Sequence, residues 1–227
     1  MPITDKNAAK FDRYVESYES LHAANVALSG EDTDYFSRYK VDCLRRKGLP
    51  TTARLLDFGC GIGNVTSKLV EQFTNVHGYE PSRLSGEKAR ERAPNATIYD
   101  ELSAVPDASF AAALLSGVLH HVPPPERLEV MTQVLQKLEP GGRLFIFEHN
   151  PYNPLTRRAV ASCEFDDDAI LLPPRELRRL LKRAGFAHVE LDYIVFFPKP
   201  LAFLRPLEPK LRWLMVGAQT LTMAIKP

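Results

Sequence analysis

Cysteine is scarce in this chain: 227 residues hold three, Cys43, Cys60 and Cys163, odd in number and far apart. With no C-x-x-C pair, neither a disulfide framework nor a cysteine zinc site is expected, and a reducing, cytoplasmic setting is the default. Charge of one sign is also missing. Twenty-nine Lys+Arg stand against 28 Asp+Glu, a net charge of +1, so nothing recommends a nucleic-acid surface, and a small-molecule partner is expected. Nor is there a long apolar run. The stretch from Leu201 to Ile225 is interrupted by Arg205, Glu208, Lys210 and Arg212 and broken by Pro206 and Pro209, well short of the ~20 apolar residues that span a bilayer. The opening MPITDKNAAKFDRY has no apolar run behind a basic start, so no secretory signal is expected. No repeat is apparent, and oligomeric state has no signature.

What is present divides near residue 50. Before it, Phe11, Tyr14, Val15, Tyr18 and Leu21 recur at three- and four-residue steps, and Tyr35 to Cys43 repeats the pattern, which predicts a helical cover over residues 1–50. Tyr14 and Tyr18 are either the half-buried face of that helix or part of a ligand roof. From Ala53 onward short apolar runs alternate with amphipathic ones, predicting βαβ units over 51–227. Strands are expected at 53–57, 75–80, 96–100, 110–116, 142–148, 188–197 and 218–225, with helices near 63–73, 82–92 and 125–138. Pro140-Gly141-Gly142 reads as a turn that launches the fifth strand. Pro173-Pro174 followed by RELRRLLKRAGF reads as a helix opened by proline and closed by Gly185. Its apolar stripe is Leu177, Leu180, Leu181 and Ala184, and its basic residues form a solvated face.

The chemistry concentrates in Leu55–Thr66, LLDFGCGIGNVT. A buried strand ends in Gly59-Cys60-Gly61-Ile62-Gly63 and opens into a helix, so the backbone can approach a ligand and the helix N–H groups face it. That suits a nucleotide-like cofactor. The dinucleotide fingerprint G-x-G-x-x-G fails at its last position, where Asn64 or Thr66 stands. Asp57, just ahead of the loop, suits a cationic ligand.

D-x-G-C-G-x-G after a buried strand resembles motif I of the class I, Rossmann-like S-adenosylmethionine-dependent methyltransferases of small-molecule type. The resemblance runs from about Leu55 to Phe186, through FAAALLSGVLHHV (110–122) and LEPGGRLFIFEHN (138–150). It departs where the family often has Phe-Asp and this chain has Phe110-Ala111. The resemblance implies a doubly wound, mostly parallel seven-stranded sheet with helices on both faces and an antiparallel last strand. S-adenosylmethionine would be the cofactor and S-adenosylhomocysteine the product. Asp57, Gly59, Cys60, Gly61 and Gly63 would hold the methionine part; Glu80, with Pro81 and Ser82 beside it, the ribose hydroxyls; Asp100, Glu101 and Leu102 the adenine. Ser116, at the end of the fourth strand, would also contact the cofactor.

Cys60 reads as a packed small residue, since methyl transfer needs no thiol. Of the pair His120 and His121, one is expected to be structural and His121 to line a pocket. Glu148-His149-Asn150 sits where ligands bind in open α/β sheets, beyond the carboxyl end of a strand. If the acceptor is a hydroxyl, His149, His121 or Glu148 is a candidate base, with Asn150 and Tyr152 as substrate contacts. No metal site is expected: consecutive Asp166-Asp167-Asp168 point different ways, without a histidine at ligand spacing, and read as a solvated loop. Phe196 to Leu204 reads as packing over the sheet, the alternative being contact with a membrane or a lipid-linked acceptor. The expected activity is O-methylation of a small polar metabolite or sugar. Rival readings are N-methylation of a small amine, a nicotinamide-dependent oxidoreductase, and a non-catalytic cofactor-binding partner protein.

Overall fold

The computed structural model describes Asp12, Val15, Val26 and residues 29–227. Seven strands form one sheet: β1 (Arg54–Phe58), β2 (Asn75–Tyr79), β3 (Thr97–Tyr99), β4 (Phe110–Ser116), β5 (Leu138–His149), β6 (Ala187–Ile194) and β7 (Gln219–Ile225). Their order is β3-β2-β1-β4-β5-β7-β6. β1 to β5 pair in parallel, and β7 enters antiparallel between β5 and β6. This is the doubly wound sheet with an antiparallel last strand that the sequence leads one to expect. β1 and β4 are buried along nearly their whole length because both their faces are covered, as parallel strands require, and β4 is apolar from Phe110 to Leu115.

The helices are α1 (Thr33–Arg46), α2 (Asn64–Leu69), α3 (Arg83–Arg92), α4 (Arg127–Lys137), α5 (Pro154–Ala161), α6 (Pro174–Ala184) and the short α7 (Glu208–Leu211). On one face of the sheet, Val130, Met131 and Val134 of α4 pack with Leu177 and Leu181 of α6 against Leu56, Leu115 and Ile146. On the other, Val41 and Leu44 of α1 pack with Val65 and Leu69 of α2 against Leu55, Leu114 and Phe147. α6 starts on proline and ends on Gly185 at φ 102°, and its five basic residues are exposed.

Three boundaries differ from expectation. β5 starts at Leu138, so Pro140-Gly141-Gly142 lies within the strand and not in a turn before it. The register with β4 shifts there, between Phe110 and Ala112, while the Gly141 N–H donates to the Lys226 carbonyl at 3.0 Å; an irregular stretch is where a strand admits proline. α2 stops at Leu69, short of residue 73. β6 stops at Ile194, because Val195 takes φ 61°, a left-handed conformation that a β-branched residue adopts only under strain. The N–H groups of Phe196 and Phe197 then turn to Glu208 Oε1, at 2.9 and 3.2 Å.

The strand order reverses between β1 and β4, which opens a crevice beyond the carboxyl ends of the strands.

Candidate functional site

A cavity of about 550 Å³ occupies that crevice. One end is built by the loop after β1 and the end of β2. The loop turns back through Gly59, Gly61 and Gly63, all at positive φ. A Cβ on Gly63 would lie 2.9 Å from the Ala89 backbone of α3, whereas one on Gly61 would meet nothing within 4 Å; the first glycine permits close packing and the second leaves the cavity clear. The Gly61 N–H donates to Glu80 Oε2 at 2.8 Å and the Ser82 N–H to Glu80 Oε1 at 2.9 Å. Burial raises the Glu80 carboxyl to about 7, against the lowering effect of those two N–H groups. Burial likewise raises Asp57 to about 6, with Thr66 and Lys40 pulling the other way. Thr66 Oγ1 donates to Asp57 Oδ2 at 2.8 Å, and Asp57 Oδ1 has no hydrogen-bond partner among the described residues.

The other end comes from the turn after β4, the end of β5 and the segment after α5. Glu148 accepts from the Leu119 N–H at 2.8 Å and pairs with His120 Nδ1 at 2.6 Å. The far side of His120 faces Asp166, Nε2 to Oδ1 3.7 Å, and His121 Nε2 lies 3.4 Å from the same oxygen. Burial disfavours the His120 cation, but Glu148 and Asp166 outweigh it and raise the ring to about 10. His149, its ring centroid 5.1 Å from that of His120, is pulled down to about 4 by burial and by the neighbouring cation. Phe196, Phe197 and Leu155 give the cavity an apolar side, and Val15 and Val26 also border it.

The profile of the methyltransferase domain family matches residues 32–191 of this sequence. The chain belongs to that family. An uncharacterized methyltransferase of Bacillus cereus is 30% identical over 140 residues, 59% of this chain and 63% of the relative, so the match spans less than two thirds of that relative's length. Among solved structures, a methyltransferase of Thermotoga maritima described as a possible histamine N-methyltransferase superposes with a TM-score of 0.72 at 22% identity, covering 97% of this chain and 100% of the other. The magnesium protoporphyrin IX methyltransferase of Synechocystis, with bound S-adenosylhomocysteine, gives 0.66 at 15% identity, covering 98% and 100%.

In this methyltransferase-domain chain, Asp57, Gly59, Cys60, Gly61, Glu80, Pro81, Ser116, His121, Glu148 and His149 all border the cavity. Others do not. Asp100 turns to Arg90 at 2.6 Å on the surface, and Glu101 and Leu102 are likewise absent from the lining. Ser82 caps α3 and accepts from Ser85 N–H, and its hydroxyl also bonds Asp12. Asn150, expected to contact substrate, is instead fully buried: its amide donates to the carbonyls of Met215 and Gly217 at 3.0 and 2.7 Å and so ties down the approach to β7. Tyr152 is half-exposed outside the cavity. Tyr14 and Tyr18 lie outside the described residues. Burial pushes the Cys60 thiol well up, which suits a packed residue and not a nucleophile.

Asp166 corrects the solvated-loop reading: it is buried, while Asp167 and Asp168 are exposed. Sequence reasoning also passed over Lys40, which borders the cavity and is held near 8 by burial, with Asp57 and Glu148 opposing. The tail after β6 does two things: Phe196 and Phe197 line the cavity, whereas Phe203 is 74% and Trp213 72% exposed. No helix among the described residues is long and apolar enough to cross a membrane.

Proposed function

We propose that this protein transfers a methyl group from S-adenosylmethionine to a hydroxyl of a small polar acceptor. The observation that carries the reading is the glycine end of the cavity. There a buried carboxylate oxygen of Asp57 has no hydrogen-bond partner among the described residues, and Glu80 is held in a backbone cradle with lone pairs left on both oxygens. The donor's chemistry matches this set: its ammonium suits Asp57 and its ribose hydroxyls suit the Glu80 carboxylate, while its methionine carboxylate suits Lys40. When bound, the cofactor supplies a methyl group on a sulfonium sulfur.

The chain's task is alignment in a water-poor space, since in-line displacement gains most from orientation. His149, on the cavity wall, would take the proton from the acceptor hydroxyl as its oxygen becomes nucleophilic. Glu148 is a positioning residue, because it holds the His120 ring and the Leu119 N–H at the histidine end of the cavity. We read residues 1–50 as the cover of this site, supported by Val15, Val26 and Lys40 on the cavity wall.

Calorimetry with S-adenosylhomocysteine and with NAD tests the cofactor: binding of the first alone is expected, and binding of NAD alone would leave the oxidoreductase reading standing. His149→Ala is expected to lower turnover of a hydroxyl acceptor by about 10²–10⁴-fold with S-adenosylhomocysteine affinity intact. Unchanged turnover would remove the base and favour an amine acceptor, which needs none.

A further inference from the structure

We propose that His120, His121 and Asp166 form a binding site for a divalent transition-metal ion, zinc by the chemistry of the donors, at the histidine end of the cavity. The donor atoms of these three residues lie within 4.8 Å of one another, and all three residues are buried. The spacing is informative. His121 Nε2 and His120 Nε2 stand 3.4 and 3.7 Å from Asp166 Oδ1, too long for a sound direct hydrogen bond. A tetrahedral ion with bonds of about 2.0–2.1 Å to nitrogen and oxygen holds its ligand atoms roughly 3.3 Å apart.

The opposite edge of each ring supports the same reading. His120 Nδ1 meets Glu148 Oε2 at 2.6 Å, and His121 Nδ1 meets Asp168 Oδ1 at 3.1 Å. A carboxylate behind each imidazole fixes the tautomer that leaves Nε2 as the ligating atom, an arrangement typical of histidine metal sites. The two chain segments are joined independently by the Ile170 N–H, which donates to the His120 carbonyl at 2.8 Å.

Two imidazoles and one carboxylate suit zinc or a neighbouring first-row ion better than magnesium or calcium, which prefer all-oxygen sets. Three protein ligands leave a fourth position, and all three border the cavity. A water or an acceptor oxygen can fill it, as in catalytic rather than structural zinc sites. Charge balance is compatible, because a divalent ion would replace the His120 proton between the buried carboxylates of Glu148 and Asp166. The metal would hold an acceptor oxygen next to His149 and ease loss of its proton. That role rests on the methyl-transfer reading, whereas the site itself does not.

The test uses the full chain stripped with a chelator and titrated with Zn²⁺ by calorimetry, and with Co²⁺ by visible absorption. One equivalent of tight binding is expected, with the intense absorption of a tetrahedral cobalt site. Asp166→Asn and His121→Gln should each weaken Zn²⁺ binding by about 100-fold or more, and the exposed, indirectly acting Asp168→Asn by about 10- to 100-fold. Unchanged S-adenosylhomocysteine affinity in these variants would show that the fold is intact. If Asp166→Asn or His121→Gln fails to fold, Asp168→Asn decides. No stoichiometric binding by the stripped wild type, or equal binding by wild type and the folded variants, overturns the proposal and leaves a protonated His120 as the compensating cation. Zinc binding without S-adenosylhomocysteine binding would keep the site and remove the methyl-donor reading instead.

Discussion

The two ends of the cavity are built in opposite ways. At the glycine end, Asp57, the loop and Glu80 belong to one βαβ unit, and the critical bonds run between residues less than 25 positions apart. At the histidine end, His120, Glu148 and Asp166 come from three separate segments and meet only because β4 lies beside β5 and the segment after α5 folds back over both. The glycine end keeps acceptor atoms in reserve. The histidine end places His120 between two buried carboxylates, Glu148 and Asp166. A local motif thus builds the glycine end, and long-range contacts build the histidine end.

The sharpest way to break this contrast is Glu148→Ala. Removing one partner of a buried, hydrogen-bonded charge pair costs about 3–5 kcal/mol, so urea or thermal unfolding should show a loss of that order. A mild loss would mean that the histidine end is not a rigid scaffold. Next in size is Glu80→Gln. Hydrogen bonds to a charged group are worth about 1.5–3 kcal/mol, so S-adenosylhomocysteine affinity should fall by about 10- to 100-fold.

pH sharpens the same point. The Glu80 carboxyl is raised from 4.5 to about 7 in the folded chain, so the folded state holds this proton more tightly than the unfolded one. The resulting stability is fully present below the unfolded value and is lost as pH rises through about 7. Cofactor affinity should move the other way, because the ribose hydroxyls need an ionised acceptor. Between pH 6 and 8, S-adenosylhomocysteine binding should tighten by about tenfold in the wild type, and Glu80→Gln should abolish that part of the dependence. The smallest effect is expected for Asp100→Ala, whose carboxylate forms a surface pair with Arg90, both about 40–45% exposed. Such pairs are worth about 0–1 kcal/mol, and cofactor affinity should not change; a large loss of affinity would return Asp100 to the adenine site.

Much of the architecture was legible because it rests on short-range regularities. The alternation from Ala53 and the proline start and glycine end of α6 follow from periodicity and chain-reversal chemistry, while the place of Glu80 after β2 came from the resemblance to motif I and its neighbouring motifs. Where reading failed, the cause was non-local. Pro140-Gly141-Gly142 looks like a turn until Lys226, from the far end of the chain, pairs with it. Asn150 looks like a site residue among polar neighbours, yet the chain before β7 uses its amide. Lys40 looks like any charged residue on a polar helix until α1 packs over the cavity.

By itself the sequence determined the sheet, the glycine cradle and its two carboxylates, because hydrophobic period, glycine freedom and the length of one βαβ unit are local properties. Only the tertiary structure decided that His120 lies between two buried carboxylates whereas His121 has the exposed Asp168 behind it, that Asp166 is buried while its neighbours are solvated, and that Phe196 and Phe197 wall the cavity while Phe203 does not. Burial, and the electrostatic partners that burial imposes, depend on contacts between segments far apart in the chain.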